Sequence, residues 1–244
     1  MSQLSPDARS WPLAPDVKCS CDDAYGGVAV AHHECYDVPG VLHIANMHCN
    51  RNHLILGAPR CGKTLLARHL VARFAEDYAP GGVVFSAENA WASGANRDGS
   101  ADYYTLTEFD STVIESVFDT QRMLLCKTRP VVVDDLMYVN KCAEDIDIAT
   151  AMLQARWHNV SFIVATTYDF DENLAHHADF IYLMRNATDA NLRRVYDLIA
   201  EYFIESFDAF LAAFFAVVRR QGDCLVIEVA TRRLYAYNAT GCAF

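Results

Sequence analysis

Residues 57–64, GAPRCGKT, constrain this chain of 244 residues more than any other feature. The segment has the required residue at every fixed position of the pattern G-x-x-x-x-G-K-[ST]. Glycines let the backbone wrap around phosphate groups, so that its N–H groups point inward as donors. Residues 53–56, HLIL, form a mostly apolar strand-like run before the segment, and the spacing of apolar residues over 64–78 is that of a helix. Because the pattern binds phosphate between a strand and a helix, it predicts a nucleotide-binding loop (a Walker A motif) at this point.

Each residue type in the loop has a predicted task. Lys63 is expected to reach the β- and γ-phosphates, and the Thr64 hydroxyl is expected to ligate magnesium. The helix that follows adds the positive end of its dipole. The residues expected to contact the nucleotide are Gly57, Ala58, Pro59, Arg60, Cys61, Gly62, Lys63, Thr64 and Leu65. The predicted cofactors are therefore ATP and Mg²⁺.

A second motif, PVVVDD at 130–135, is a short apolar strand that ends in two carboxylates. A strand that is apolar throughout is typical of the centre of a parallel sheet with both faces covered. Asp134 is predicted to complete the magnesium site with Thr64, as a Walker B carboxylate does. Asp135 is predicted to orient or deprotonate the attacking water. Two acids that simply begin a solvated loop are the alternative interpretation.

A third apolar strand, SFIVATT at 161–167, ends in hydroxyl side chains. Ligands of α/β proteins bind at the carboxyl ends of parallel strands, so Thr166, Thr167 or Tyr168 could sense the γ-phosphate. Threonine also ends many strands without any such role. The predicted catalytic residues are Lys63, Asp135 and Thr167.

Strand-like and helix-like segments alternate along the chain. Strands are predicted at 53–57, 82–87, 130–134, 161–167, 180–184, 224–230 and 234–237. Helices are predicted at 64–78, at 144–157, within 188–220, and from Thr112, whose spacing to Glu115 matches a capping box. This alternation predicts an α/β P-loop NTPase fold, with a mostly parallel sheet, helices on both faces and a C-terminal β-hairpin. Residues 1–40 are expected to form an irregular arm, and 41–244 the ATPase domain.

Composition excludes some classes of protein. A hydrophobic share of 52% and a charged share of 21% are those of a globular protein. No apolar run approaches the ~20 residues that span a bilayer, and residues 1–20 do not have the pattern of a secretory signal, so a cytosolic protein is expected. The net charge of −11 argues against a basic surface but leaves room for a basic pore in a ring-shaped motor.

The sequence contains nine cysteines, which in a cytosolic protein are expected to be reduced thiols. Several cysteines and histidines cluster near the N-terminus: Cys19, Cys21, His32, His33, Cys35, His48 and Cys49. They could bind zinc, but they have no paired C-x-x-C spacing, so scattered thiols and imidazoles are the favoured interpretation.

From residue 53 onward, the motifs and their order resemble the DNA-packaging ATPases of large eukaryotic DNA viruses, the poxvirus- and iridovirus-like branch of the FtsK–HerA superfamily. The segments that carry the resemblance are HLILGAPRCGKT, residues 104–121, PVVVDDL, RWH before SFIVATT, ADFIYLMR and CLVIEVATRRLYAYNA. The resemblance implies a pentameric or hexameric ring that drives double-stranded viral DNA into a capsid. It also implies capsid or portal proteins as partners, and a location at virus assembly sites in the host cytoplasm or in the virion.

By position, the resemblance gives Lys63, Thr64, Asp134 and Asp135 the roles already assigned to them. The chain departs from the family pattern at two places. The glutamine that usually ends the sensor strand is replaced here by Thr167 followed by Tyr168, and the arginine usually found before the next strand is replaced by His176 and His177. An arginine finger is therefore not located; the candidates are Arg156, Arg185, Arg193 and Arg194.

Three functions remain open on the sequence alone. The first is a motor that translocates DNA, for which the loop 88–102 and the pairs Arg219–Arg220 and Arg232–Arg233 are candidate DNA contacts. The second is a nucleotide or metabolite kinase, which the acid pair at 134–135 disfavours. The third is a slow nucleotide-binding switch or assembly protein, which the absent sensor glutamine keeps open.

Overall fold

The computed structural model describes residues 40–42, 49–75, 77–79, 81–87, 91, 103–124, 127–135 and 148–239. They belong to a compact unit that spans Pro39–Phe244. The predicted N-terminal arm lies outside the described residues except for Gly40, and the cysteine and histidine cluster lies outside them except for Cys49. The domain boundary at residue 40 and the choice between zinc and free thiols therefore stay predictions.

Nine strands of the described chain form one sheet. They are β1 (Gly40–Val41), β2 (His53–Leu56), β3 (Val83–Ser86), β4 (Tyr104–Leu106), β5 (Arg129–Asp134), β6 (Val160–Thr166), β7 (Phe180–Met184), β8 (Asp223–Glu228) and β9 (Arg233–Asn238). Their order across the sheet is β1-β9-β8-β7-β2-β6-β5-β3-β4. The six adjacent strands β7, β2, β6, β5, β3 and β4 pair in parallel, whereas β8 pairs antiparallel with β7 and with β9. The predicted fold class, with its C-terminal hairpin, is confirmed.

Six α-helices lie in the described segments: α1 (Lys63–Arg73), α2 (Ser111–Leu124), α3 (Ile148–Ala155), α4 (Glu172–His177), α5 (Asp189–Leu198) and α6 (Phe207–Val217). The alternation of side chains along each strand divides the core between the two faces of the sheet. In β2, Leu54 and Leu56 face a core built with α2 to α6, whereas Ile55 faces a core built with α1. None of the helices in these segments is long and apolar enough to span a membrane.

Several boundaries differ from the prediction for local reasons. Helix α1 ends at Arg73, and Tyr78 forms a parallel bridge to Thr128 instead of continuing the helix. Helix α2 begins at Ser111, and Asp110 accepts the Thr112 backbone N–H at 2.9 Å, so aspartate and not the predicted Thr112 caps it. The short strands β1 and β4 were not predicted, because two or three residues carry too little periodicity to detect.

Candidate nucleotide-binding site

The phosphate loop is held against the neighbouring strand at its first residue. Strand β2 ends at Leu56, and the Gly57 backbone N–H donates to the Thr166 carbonyl of β6 at 3.2 Å. The loop then closes on Gly62, which precedes α1 with φ 109°, a conformation that favours glycine. The loop therefore opens at the carboxyl edge of the parallel strands, where α/β folds bind ligands.

The inner side of the loop packs around Cys61, which is fully buried. Its Sγ lies 3.7 Å from the Met184 Sδ of β7. A Cβ placed on Gly57 would lie 2.4 Å from the same sulfur, so close packing accounts for the first glycine of the motif. Burial raises the pKa of the Cys61 thiol, against the opposing influence of the Lys63 and Arg185 charges.

Lys63, the first residue of α1, is buried, and its ammonium group rests on the loop itself. Its Nζ donates to the carbonyl oxygens of Gly57 at 3.2 Å and Ala58 at 3.3 Å. Pro59, Arg60 and Leu65 are exposed. The loop thus combines a buried cation with an open outer side, an arrangement suited to a polyphosphate.

Thr64 and Asp134 meet beside the lysine. Thr64 Oγ1 donates to Asp134 Oδ1 at 3.0 Å, and Asp134, the last residue of β5, is almost completely buried. A hydroxyl oxygen and a carboxylate oxygen at this distance are the oxygen donors that Mg²⁺ prefers. The residues present therefore fit a magnesium ion between the loop and the end of β5.

Trp91 is a member of this site that the sequence did not indicate. Its indole Nε1 donates to Asp134 Oδ2 at 2.8 Å. The residue lies in the polar segment between β3 and β4, where an isolated tryptophan has no periodicity to place it. No sequence signal could have paired it with Asp134.

Asp135 directly follows β5 in an unusual conformation. Its φ of 60° is in the left-handed region, which aspartate tolerates better than most residues. Among the described residues, its Oδ1 is one of the few buried side-chain atoms without a hydrogen-bond partner. A left-handed backbone conformation and an unsatisfied carboxylate oxygen, next in sequence to the buried Asp134 carboxylate, are typical of functional sites.

The two sensor candidates after β6 differ sharply in environment. The Tyr168 side chain is buried, and its hydroxyl donates to the Met184 carbonyl of β7 at 2.5 Å. Thr167 is half-buried and follows Thr166, whose carbonyl binds the first residue of the loop. Tyr168 thus links two strands, whereas the position of Thr167 next to the loop is compatible with the sensor role predicted for it.

The four candidate arginines lie in different places. Arg156 pairs with Asp179 at 2.8 Å, next to the start of β7 and thus at the edge of the sheet opposite the loop. Arg193 lies over the Phe207 ring, and Arg194 donates to the Phe170 carbonyl at 2.8 Å.

Arg185 lies at the edge that carries the loop. It follows β7 immediately, and its Nε is buried without a hydrogen-bond partner among the described residues. Its positive charge also opposes the rise in the pKa of the Cys61 thiol inside the loop.

The two basic pairs suggested as DNA contacts lie at opposite edges of the sheet. Because β8 runs antiparallel to β7, with Cys224 opposite Met184 and Glu228 opposite Phe180, its two ends face different edges. The pair 219–220 precedes β8 at the loop edge, and the pair 232–233 follows it at the other edge. Of the predicted DNA-contacting loop 88–102, only Trp91 is within the described residues.

Solved structures with the same fold include genome-packaging NTPases and a conjugation coupling protein. The DNA-packaging ATPase B204 of Sulfolobus turreted icosahedral virus matches over 79% of this chain and 98% of its own, with 15% identity and a TM-score of 0.57. The packaging NTPase B204 of Sulfolobus turreted icosahedral virus 2, in complex with ATP-gammaS, covers the same shares with 16% identity and a TM-score of 0.56.

A third similar structure is the pCW3 conjugation coupling protein TcpA with ATPgS, with 11% identity and a TM-score of 0.50 over 78% of this chain and 60% of that one. No protein-family model and no curated protein matches the sequence. These likenesses establish the P-loop ATPase fold of the chain.

Proposed function

We propose that this chain is a magnesium-dependent ATPase that translocates double-stranded DNA and packages a viral genome. The observation that carries the proposal is the contact of Thr64 Oγ1 with Asp134 Oδ1 at 3.0 Å, with Thr64 next in sequence to the buried Lys63. A lysine, a hydroxyl and a carboxylate in this relation can bind the phosphates of ATP together with Mg²⁺. Bound Mg²⁺ would neutralise charge on the phosphates during their transfer.

The remaining residues would act on binding and on the water. The Lys63 ammonium group would leave its contacts with Gly57 and Ala58 and bind phosphate oxygens, which are stronger acceptors because they carry charge. Asp135, whose Oδ1 has no partner among the described residues, would hold the attacking water and accept its proton. Thr167 would sense the γ-phosphate from the end of β6.

Two similarities support the proposal about the work that is done with ATP. The fold is that of B204, described as a DNA-packaging ATPase, and of the conjugation coupling protein TcpA. The motifs from residue 53 onward resemble the packaging ATPases of poxvirus- and iridovirus-like viruses. We therefore propose a pentameric or hexameric ring on double-stranded DNA, with capsid or portal proteins as partners, at assembly sites in the host cytoplasm.

The test is steady-state ATP hydrolysis by the wild type and by Asp135→Asn, with and without double-stranded DNA. DNA-stimulated turnover that is lost in the variant is the expected result. Turnover that does not respond to DNA would contradict the motor. Turnover that instead requires a small phosphate acceptor would indicate the kinase.

A slow nucleotide-binding switch is the second candidate, and one observation favours it. The Tyr168 hydroxyl, next in sequence to the expected glutamine position, is used to bind the Met184 carbonyl. Tyr168 thus cannot replace the glutamine amide without losing this bond. Thr167 alone would have to take the role of the glutamine. Turnover that stays slow with DNA, together with tight nucleotide binding, would favour the switch.

A further inference from the structure

We infer that Trp91 is a positioning residue for the metal site: its indole N–H fixes the Asp134 carboxylate in the orientation that binds magnesium. The inference rests on the proposed function, because it concerns the Mg²⁺ that accompanies ATP. Trp91 would contact neither the nucleotide nor the metal, and it would act only through Asp134.

The contact geometry is the first argument. Trp91 Nε1 donates to Asp134 Oδ2 at 2.8 Å, while Thr64 Oγ1 donates to Oδ1 at 3.0 Å. The two oxygens of one carboxylate are thus held by two donors from different segments of the chain. The oxygen on the loop side stays next to the Thr64 hydroxyl, and the other oxygen is turned away towards the indole.

The rigidity of the donor is the second argument. The Trp91 side chain is 7% exposed, and it packs in the apolar core that includes α1 and the central strands. The indole ring is rigid, so its packing fixes the direction of its N–H group. This N–H is the only hydrogen-bond donor of indole, which has no acceptor. A donor fixed in this way restricts rotation of the carboxylate more than a flexible side chain or water would.

The position of Trp91 in the chain is the third argument. Its segment leaves β3 at Ser86, and Ser86 is the partner of Asp134 in the register between β3 and β5. The indole thus reaches the metal carboxylate from the adjacent strand connection. Groups that orient metal ligands from outside the coordination shell typically affect metal affinity by about 10- to 100-fold.

The main experiment compares the wild type with Trp91→Phe, which keeps an aromatic ring and removes the N–H donor. Binding of a fluorescent ATP analogue is measured in EDTA and over a Mg²⁺ titration. We expect equal affinities in EDTA, where the loop and Lys63 bind the phosphates, and a Mg²⁺ half-saturation raised by about 10- to 100-fold in the variant. Trp157→Phe is the matched control, because Trp157 is 85% exposed; its Mg²⁺ response should equal that of the wild type.

Two outcomes would overturn the inference while leaving the proposed function intact. The first is an unchanged Mg²⁺ half-saturation in Trp91→Phe. The second is an equal loss of nucleotide affinity with and without Mg²⁺, which would indicate a purely structural role. A wild type that binds no nucleotide under either condition would overturn the proposed function, and the inference with it.

A second measurement needs no substitution of Trp91, in case the variant does not fold. The protein has three tryptophans, Trp11, Trp91 and Trp157, so wild type labelled with nitrogen-15 at tryptophan gives few indole signals in an NMR spectrum. Phenylalanine variants of Trp11 and Trp157 assign them by elimination. Addition of Mg²⁺ to the nucleotide-saturated protein should shift the Trp91 signal and leave that of Trp157 in place. A Trp91 signal that does not respond would overturn the inference.

Discussion

Thr64 and Asp134 are 70 residues apart in the sequence, and their side chains meet at 3.0 Å. Thr64 follows the loop after β2, and Asp134 ends β5, yet these two strands are not neighbours, because β6 lies between them. The loop therefore reaches over the end of β6, to which the Gly57 N–H is bound. The proposed metal site depends on three strands ending at one edge in this order, and the following predictions test its parts.

Replacement of Lys63 by alanine should abolish turnover without unfolding the protein. The ammonium group is bound only by the loop carbonyls of Gly57 and Ala58 among the hydrogen bonds described for it. We expect ATP hydrolysis to fall by at least about 100-fold, as for the loss of other preorganised charge-stabilising groups. Steady-state hydrolysis and thermal unfolding measure the two effects, and Lys127→Ala, on an exposed lysine, is the control. Loss of folding in Lys63→Ala would contradict a role for Lys63 as a ligand of phosphate.

Replacement of Gly57 by alanine should distort the loop, because the new methyl group would clash with the Cys61 sulfur. The new Cβ would lie 2.4 Å from Cys61 Sγ, and the buried sulfur cannot move freely because it packs on Met184. Overpacking of this kind costs about 1–3 kcal/mol. Removal of the sulfur in Gly57→Ala/Cys61→Ala should recover part of the loss.

A double-mutant cycle from urea unfolding measures this coupling, with Cys61→Ala alone as the reference. Additive effects of the two substitutions would contradict the proposed clash.

Two substitutions of Asp135 separate chemistry from backbone strain. Asparagine also tolerates a left-handed conformation, so Asp135→Asn should keep its stability and lose turnover by about 100-fold or more. Alanine is strained at φ 60°, so Asp135→Ala should lose turnover and in addition about 1 kcal/mol of unfolding free energy relative to Asp135→Asn. Turnover assays and chemical unfolding check both values. Full turnover in Asp135→Asn would show that Asp135 is not the catalytic base.

Tyr168 and Thr167 should respond in opposite ways to removal of their hydroxyl groups. Tyr168→Phe leaves the Met184 carbonyl without its donor, so unfolding free energy should fall by about 1–2 kcal/mol while turnover per folded molecule is kept. Thr167→Val should lower turnover and change stability little. Thermal melting and single-turnover hydrolysis distinguish the two. Normal turnover in Thr167→Val would contradict the sensor role.

His53 should make stability depend on pH. Burial lowers the pKa of His53 from 6.5 to about 3, with a smaller contribution from Arg51. Below pH 6.5 the unfolded chain binds a proton at His53 that the folded chain excludes. The free energy of unfolding therefore decreases as pH falls from 6.5 towards 3. At pH 5 the reduction relative to neutral pH is roughly 2 kcal/mol.

His53→Phe keeps the stacking on Phe180 and removes the titrating group. Urea unfolding at several pH values should therefore show a smaller acid loss of stability in the variant than in the wild type. Parallel pH profiles for the two proteins would contradict the prediction.

The local parts of the site could be read from the sequence. Loop residues 57–64, the strand ending at Asp134 and the strand ending at Thr166 each have a pattern contained in a few consecutive residues. Such patterns reflect local physics: glycine where the backbone must curve, and unbroken apolar runs where both faces of a strand are buried. Helix ends were predicted less well, because a cap depends on the detailed conformation of one or two residues, as with Asp110.

The relations between those parts were decided by the tertiary structure. The order of the strands brings Thr64 to Asp134, places Arg185 at the loop edge and Arg156 at the opposite one, and turns Tyr168 to Met184. The contact of Trp91 with Asp134 belongs to this group as well. The sequence by itself determined which segments fold into strands and which one binds phosphate, because those properties depend on near neighbours in the chain. Which side chains meet was decided by sheet order and core packing, because these join residues that are far apart in the chain.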